Sequence, residues 1–412
     1  MPVEARIFDV DQLVNDQSDP VLVWEAMVNR AVEQQVSDIH ILASQGGFEV
    51  AYRLDGDLHR QGLLNEQLGR HLISHVKTMA DIDLGETRRP TDGRMKLTVK
   101  AEGKGAPARN IDLRVSTVPS VHGQDLVVRV FDHTVSLMQL TQLGMRQDQL
   151  DLTYDMLARP AGLVLVSGPS GGGKTTTLYA MLQYLSGATR KINTIEDPVE
   201  YDLAGANQTQ VNPRIGLTFA TMLAAILRQD PDIIMVGEIR DQETAVTAVR
   251  AANTGNLVLA TTHATRASRA IETMLYLGVH PYFLAVALRG VMAQVLVKRI
   301  CPDCRSPLPD TADMIVEPEV RRRLGEGAEA RLFIGAGCDN CYGTGYRGQI
   351  ALFEQFLPDQ NVKQLILDRR PAVEIDQAIA KAEMLTLEQS GKLAALQGLT
   401  TMEELVRVLP MM

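Results

Sequence analysis

Aromatic side chains are scarce in this chain: phenylalanine, tyrosine and tryptophan make up 4% of its 412 residues, with a single tryptophan. Single-stranded nucleic acid is held largely by stacking on such rings, so that class of partner lacks its platform. Basic charge is short as well, with 41 lysines and arginines against 50 acidic residues, a formal net charge of −9 and no basic block. Nonspecific binding to a phosphate backbone therefore has no electrostatic footing. Long apolar runs are missing too. The greasiest stretch, residues 283–297, carries Arg289 and is too short to span a bilayer. The opening Met-Pro-Val-Glu-Ala-Arg lacks the basic head and apolar run of a signal peptide, so a cytoplasmic protein is expected. Cysteines number only 4, which argues against a secreted disulfide framework. What is present is globular composition in a length that suits two or three domains of ~150 residues.

The chain opens on an acidic, polar segment at 1–20. Asp19-Pro20 then predicts a helix start, with Asp as N-cap and Pro in the first turn, followed by Val21, Trp24, Val28, Val32 and Val36 at helical spacing. Phe48, Val50, Tyr52 and Leu54 alternate with polar or small residues up to the turn pair Asp55-Gly56, and Ile111, Leu113 and Val115 alternate in the same way. An α+β domain over 21–135 and a linker at 136–142 follow from this pattern. Gly103-Lys104-Gly105 reads as a flexible insertion.

Beyond the linker the pattern changes. Continuous apolar runs at 163–166, 192–195, 233–236 and 257–260, separated by helical patterns, read as buried parallel strands. The expected architecture for 143–412 is a doubly wound α/β core with its ligand off the carboxyl ends of the strands. From 266 onward the pattern reads as mainly helical, interrupted by the cysteine region.

Gly168-Pro169-Ser170-Gly171-Gly172-Gly173-Lys174-Thr175, with Thr176 beside it, matches G-x-x-x-x-G-K-[ST] between an expected strand and an expected helix. Glycines let consecutive backbone N–H groups turn inward around an anion, and the helix N-terminus adds partial positive charge. ATP is the expected ligand, with Lys174 on its β and γ oxygens and the Thr175 hydroxyl on Mg²⁺. Two further strands run into carboxylates, one into Glu196-Asp197-Pro198-Val199-Glu200 and the other into Gly237-Glu238. Glu238 is the first choice for orienting the attacking water, with Glu200 and Glu196 in support, and His263, after the strand at 257–262, is placed to sense the γ-phosphate. Taken one at a time, each of these is as readily a solvated loop charge; convergence of three strand ends on one edge is what singles them out.

Cys301-Pro-Asp-Cys304 and Cys338-Asp-Asn-Cys341 use every cysteine. Each i, i+3 pair aims two thiolates at one point, and two such knuckles complete the tetrahedron that Zn²⁺ prefers, with no open position for catalysis. A structural zinc lobe at 298–348 is expected.

These motifs resemble those of the secretion ATPases of the GspE/PulE and PilB kind, motors of type II secretion and type IV pilus assembly. The resemblance runs from about 21 to 408 and includes Ser37-Asp-Ile-His-Ile41, Arg53-Leu-Asp-Gly56, Arg89-Pro-Thr-Asp-Gly-Arg94, Asp112-Leu-Arg-Val-Ser116, Thr194-Ile-Glu-Asp-Pro-Val-Glu-Tyr201, Leu227-Arg-Gln-Asp-Pro-Asp232 and Thr261-Thr-His-Ala264. It implies a PAS-like α+β N-terminal domain joined to a RecA-like P-loop ATPase domain with a Cys₄ zinc lobe, assembled as a homohexamer. Arg94 and Arg114 occupy motifs whose arginines reach a nucleotide held by an adjoining ATPase domain, with Arg53 and Arg129 as weaker candidates. Three positions depart from the family pattern: Gln124 replaces an acid, Asn256 a histidine and Val295 an arginine. Asn256 can hydrogen-bond but cannot be protonated.

The resemblance further implies work on the cytoplasmic face of the inner membrane, against a platform protein and with a possible cytoplasmic adaptor. Only about 20 residues precede the first helix, so docking is expected to use the remaining surfaces. Retraction motors of the family lack the cysteine lobe, which favours pilus or pseudopilus assembly over retraction. A nucleic-acid translocase of RecA-like fold is the alternative from another class, against which acidity and few aromatics count. An ATP-binding scaffold without turnover is a third, against which Lys174, Thr175, Glu200, Glu238 and His263 count.

Overall fold

A computed structural model of the chain describes residues 10, 18–99, 109–132, 138–187, 189–308, 317–324, 330–380 and 384–409. The expected insertion at 103–105, nearly all of the segment 1–20 and residues 136–137 of the expected linker lie outside the described residues. The chain forms two compact units. One comprises Met1–Ser136, Cys301–Ser306 and Gly335–Gly348, and the other comprises Leu137–Ile300, Pro307–Ile334 and Gln349–Met412.

In the first unit the Asp19 carboxylate accepts the Val21 N–H at 2.9 Å and Pro20 opens the helix Pro20–Glu33, as the Asp-Pro pair predicts. The helix buries Val23, Trp24, Met27, Val28, Ala31 and Val32. The sheet beneath it is antiparallel, built from β1 (Asp38–Ser44), β2 (Gly47–Leu54), β3 (Asp57–Asn65), β4 (Thr91–Val99), β5 (Arg109–Ser120) and β6 (Gly123–Asp132) in the spatial order β3-β2-β1-β6-β5-β4. Asp55 and Gly56 both have positive φ, the requirement of the two-residue hairpin that joins β2 to β3. One sheet face is apolar. Ile39, Tyr52, Val128 and Val115 stand in register across it, and the Tyr52 hydroxyl donates to the Met27 carbonyl at 2.9 Å, pinning the helix to the sheet.

In the second unit β7 (Gly162–Ser167), β8 (Ile192–Glu196), β9 (Ala206–Gln210), β10 (Ile233–Val236), β11 (Leu257–Thr262), β12 (Leu288–Ile300) and the strand Tyr346–Phe356 form a seven-stranded sheet. Its order is Tyr346–Phe356, β12, β7, β11, β10, β8, β9, and β7 to β12 pair in parallel throughout. Every residue of β7, β8, β10 and β11 is buried, which is why β7, β10 and β11 carry apolar runs; the run expected at 192–195 is in fact broken by Asn193 and Thr194, both buried within β8.

The expectation of a mainly helical chain after 266 is corrected here. Residues 288–300 and 346–356 are long strands, and β12 lies directly beside the central strand β7. Both faces of β12 are covered, so its apolar run shows no alternation and periodicity cannot distinguish it from a buried helix. The helices after 266 are Ala267–Tyr276, Pro281–Ala287, Pro318–Leu324, Gln360–Leu367, Ala372–Ala380, Leu387–Leu396 and Met402–Val408 among the described residues.

Glu354, on the strand Tyr346–Phe356 and 3% exposed, accepts the N–H of Ala267 at 2.8 Å and of Leu387 at 3.0 Å, the first residues of two helices. Burial pushes its carboxyl above the ordinary 4.5, against the pull of those two donors. A raised value means that the folded state binds the proton more tightly, so this group's contribution is complete below 4.5 and is lost as pH rises through the raised value. Glu354→Ala should lower the unfolding free energy by about 3 kcal/mol through two orphaned helix ends, and Glu354→Gln should flatten that pH dependence in denaturant titrations.

Candidate nucleotide site and cysteine cluster

The loop 168–173 leaves β7 and enters the helix Lys174–Leu185, as the motif requires. Gly168, Gly171 and Gly173 have φ of 149°, 73° and 80°, a region that side chains other than glycine rarely adopt. At Gly168 a Cβ would lie 2.3 Å from the Gln294 carbonyl oxygen, and Gln294 Nε2 donates to the Gly172 carbonyl at 2.6 Å. Gln294, 1% exposed on β12, is therefore the floor of the loop. Sequence reasoning missed it, because its pairing partner is more than a hundred residues away.

Lys174 Nζ donates to the carbonyls of Gly168 at 2.8 Å and Pro169 at 2.9 Å, so the ammonium is folded over the loop where phosphate oxygens would be held. Burial lowers its pKa, with the Glu238 charge opposing that shift. Thr175 and Thr176 are exposed at the first turn of the helix, a position from which hydroxyl oxygens can meet a nucleotide and its metal ion.

The carboxylates come from the same sheet edge. The Gly237 N–H donates to the Ile195 carbonyl at 2.8 Å and the Ile239 N–H to the Thr261 carbonyl at 2.9 Å, which fixes Glu238 between the ends of β8 and β11. One Glu238 oxygen meets His263 Nε2 and the other Arg240 at 2.5 Å, so Arg240 joins the set that the sequence brought together. Burial opposes ionisation of Glu238, yet the contacts of Arg240 and His263 outweigh it and hold the carboxyl below its ordinary value.

Glu196 is placed differently. It is 3% exposed and accepts from Thr194 Oγ1 at 2.6 Å, from Gln208 Nε2 at 3.0 Å and from the Tyr179 hydroxyl. Tyr179, on the helix that follows the loop, also receives the Glu200 N–H at 3.4 Å. Burial and Glu196 raise the Tyr179 phenol well above its ordinary value, so it serves as a fixed donor. Glu200 is half-buried. Asn256 lies before β11, at the opposite end of the sheet, where its Nδ2 donates to the Pro231 carbonyl and ties two loops together.

In the first unit Arg94, Arg114 and Arg129 are direct cross-strand partners on β4, β5 and β6, and Asp38 and Arg53 continue the row through β1 and β2. Partners in register project to one side, so this row occupies the sheet face opposite the apolar one. Asp38 Oδ1 pairs with Arg129 at 2.9 Å, whereas Arg94 is exposed and the Arg114 guanidinium sits 4.2 Å over the Phe131 ring.

The four cysteines converge. Cys301 and Cys338 sulfurs lie 3.9 Å apart, Cys304 and Cys341 3.8 Å, Cys338 and Cys341 3.7 Å, and all four lie within 4.8 Å of one another. A tetrahedron with Zn–S bonds of ~2.3 Å has S···S edges of about 3.8 Å, so the set fits Zn²⁺. Burial opposes ionisation of Cys341, but the N–H groups of Cys338 and Gly345 hold its thiol down at about 7, while burial pushes Cys304 up to about 12. Both knuckles belong to the first compact unit, although the sequence places them after the second unit's core strands. Tyr342 packs on the first unit's core and the Gly348 N–H donates to Asp55 at 2.7 Å, which anchors the lobe there. Gly335 and Gly345 cross so closely that a Cβ on Gly335 would lie 1.9 Å from the Gly345 oxygen.

Comparison with known proteins gives concordant matches. The family model for type II/IV secretion system proteins matches residues 14–407. Type II secretion system protein E of Dickeya dadantii is 40% identical over 402 residues, covering 97% of this chain and 78% of that protein. The type IV pilus assembly ATPase PilB of Thermus thermophilus is 40% identical over 395 residues, covering 95% of this chain and 43% of that protein. Among solved structures, the pilus retraction motor PilT with bound ADP matches at a TM-score of 0.62 and 24% identity, over 94% of this chain and 97% of that one. The Legionella pneumophila ATPase DotB matches at 0.67 and 19%, over 95% and 96%. At those identities the structures speak for the fold alone.

The cysteine geometry makes a prediction of its own. Freshly purified protein should carry one zinc per four-cysteine set by metal analysis, and Cys304→Ser or a chelator should open the knuckles to proteolysis while ATP binding persists, since the metal's affinity is the lobe's folding energy. Metal-free protein with protected knuckles would refute the assignment.

Proposed function

The chain belongs to the type II/IV secretion system protein family and is an ATP-hydrolysing enzyme, and from that premise we propose that it is a hexameric, Mg²⁺-dependent motor on the cytoplasmic face of the inner membrane. In this reading its first unit is PAS-like, its second is RecA-like, and it drives assembly of a type IV pilus or a type II secretion pseudopilus by pushing on a membrane platform protein, with a cytoplasmic adaptor as a further partner. One observation supports it above the others: the phosphate loop with Lys174 and the clamped carboxylate of Glu238 share one edge of a parallel sheet. No helix among the described residues is long and apolar enough to cross a membrane.

Lys174 exchanges its two carbonyl partners for the β and γ oxygens of ATP, and the backbone N–H groups of Gly171, Gly173 and the first turn hold the remaining charge. Thr175 would hold the Mg²⁺ ion, which would supply charge neutralisation for the phosphates. Glu238 accepts a hydrogen bond from the attacking water, and its lowered pKa keeps it an acceptor at neutral pH. His263, against the same carboxylate, responds to the γ-phosphate. Glu196 acts through Tyr179 as a positioning residue, and Glu200 assists at the rim. Arg94 and Arg114 complete the site of a neighbouring subunit, for which Arg is suited because its planar fork stays charged and binds phosphate in bidentate fashion.

Three experiments test this. Glu238→Gln should retain ATP binding and lose turnover by about 10²-fold or more, and mixing it with Arg114→Ala chains should restore part of the activity in verified mixed rings. Unchanged turnover, or no rescue in such rings, removes the corresponding residue from the mechanism. At the level of the cell, a deletion strain should lack surface filament or secreted substrate; a strain covered in excess filaments would identify a retraction motor.

A further inference from the structure

The first unit has a cleft of about 470 Å³ whose walls divide by chemistry: Phe48, Ile73 and Leu84 on the apolar side, Lys77, Gln124 and Arg70 on the polar side. Lys77 is the unusual member. It lies on the buried face of the helix Glu66–Met79 with Leu72, Ile73 and Val76, and it is 2% exposed. Lysine is almost never buried so deeply without a carboxylate partner.

The acids nearby are engaged elsewhere. Glu86 offers Lys77 only its backbone carbonyl, at 2.9 Å, while its carboxylate accepts the N–H groups of Arg88 and Arg89. Asp125 accepts the Ala43 N–H, and Glu66 holds Arg70 in an exposed pair of the kind that water weakens. Gln124 approaches Lys77 at 3.4 Å, but its amide oxygen is neutral and its own Nε2 is also 3.4 Å from the Glu86 carbonyl. The ammonium therefore has one good hydrogen bond, one long one and, among the described residues, no counter-charge. A buried cation in that state is costly unless something else compensates it.

We propose that this cleft binds a small organic anion, with an oxyanion head on Lys77 Nζ and an apolar body against Phe48, Ile73 and Leu84. The remaining guanidinium N–H groups of Arg70 and the hydroxyl of Thr87, which also lines the cleft, are the further donors for the head. The volume lies in the range of small-molecule sites, and an inorganic ion alone would leave the apolar wall bare. The site is built from the first unit only, so it stands or falls independently of the ATPase mechanism.

The test uses the full chain carrying Lys174→Ala, so that the phosphate loop does not capture the probe, titrated calorimetrically with phenyl phosphate, benzoate and inorganic phosphate. At least one aryl anion should bind more tightly than inorganic phosphate, and comparison of the two identifies the head as phosphate or carboxylate. Gln124→Glu puts a carboxylate against the ammonium; it should weaken the aryl anion by about tenfold or more and raise the melting temperature of the ligand-free protein. Lys77→Met should abolish binding, and if it fails to fold, Gln124→Glu still decides. No binding of either aryl anion, equal binding of inorganic phosphate, or unchanged affinity in Gln124→Glu would each overturn the proposal.

Discussion

The close approach of the phosphate loop to β12 sets the position of everything else in the nucleotide site. Met292 and Ala293 of β12 stand in register with Val166 and Ser167 of β7, so the backbone of β12 continues as a floor beneath the loop. Gly168 passes over that floor with no room for a side chain, and Gln294 holds Gly172 from below. With the carbonyls of Gly168 and Pro169 on Lys174, that of Gly172 on Gln294 and the Gly172 N–H on the Pro169 carbonyl, the N–H groups of Gly171 and Gly173 are the loop's donors for an anion. A Cβ at 168 would have to displace either the loop or a buried central strand, and close-packed interiors do not yield cheaply.

The opposite wall follows from the same parallel register. Val236 is level with Ala260 on one side and Ile195 on the other, so the chain leaving β10 emerges between two strand ends. Backbone bonds from Gly237 and Ile239 to those ends hold Glu238 in place before its side chain makes any contact. The carboxylate is thus positioned by the sheet, which suits the proposed task of orienting a water molecule.

Much of this was legible in the sequence because its causes are local. Asp19-Pro20, Asp55-Gly56 and the eight-residue phosphate motif each dictate a backbone conformation within a few residues. Three of the interior strands, β7, β10 and β11, declared themselves through apolar runs, and β8 through Ile192 and Ile195 ahead of its carboxylates. What escaped reading depends on distant partners. Residues 288–300 carry the same apolar run, yet nothing in them says that β7 lies alongside. Nothing in the sequence around Tyr179 points to Glu196, which the fold places against its hydroxyl. Arg94, Arg114 and Arg129 become a row only once three strands pair in register, and Lys77 is unremarkable as sequence until its burial is measured. The cysteine knuckles were legible as a metal site by spacing, but not as members of the first compact unit, since that depends on Tyr342 and Gly348 finding partners some three hundred residues earlier.

These contacts close a circuit within the second unit. From Lys174 the helix runs to Tyr179, whose hydroxyl meets Glu196 at the end of β8. The adjoining Ile195 carbonyl binds Gly237, Glu238 follows, and its charge acts back on Lys174. The two members of the circuit that face each other electrostatically already have partners: Lys174 has the carbonyl oxygens of the loop, and Glu238 has Arg240 and His263. Phosphate oxygens are far better partners for an ammonium than carbonyls, so a nucleotide bound as proposed would draw Lys174 off the loop and alter the field at Glu238. His263 and Arg240 share that carboxylate and would experience the same change, whereas Glu196 is held by hydroxyl and amide donors on the far side. The asymmetry leaves one responsive carboxylate opposite one immobile one, on strand ends that share a single register, and this is the arrangement by which occupancy of the phosphate loop can reach the group that would direct water.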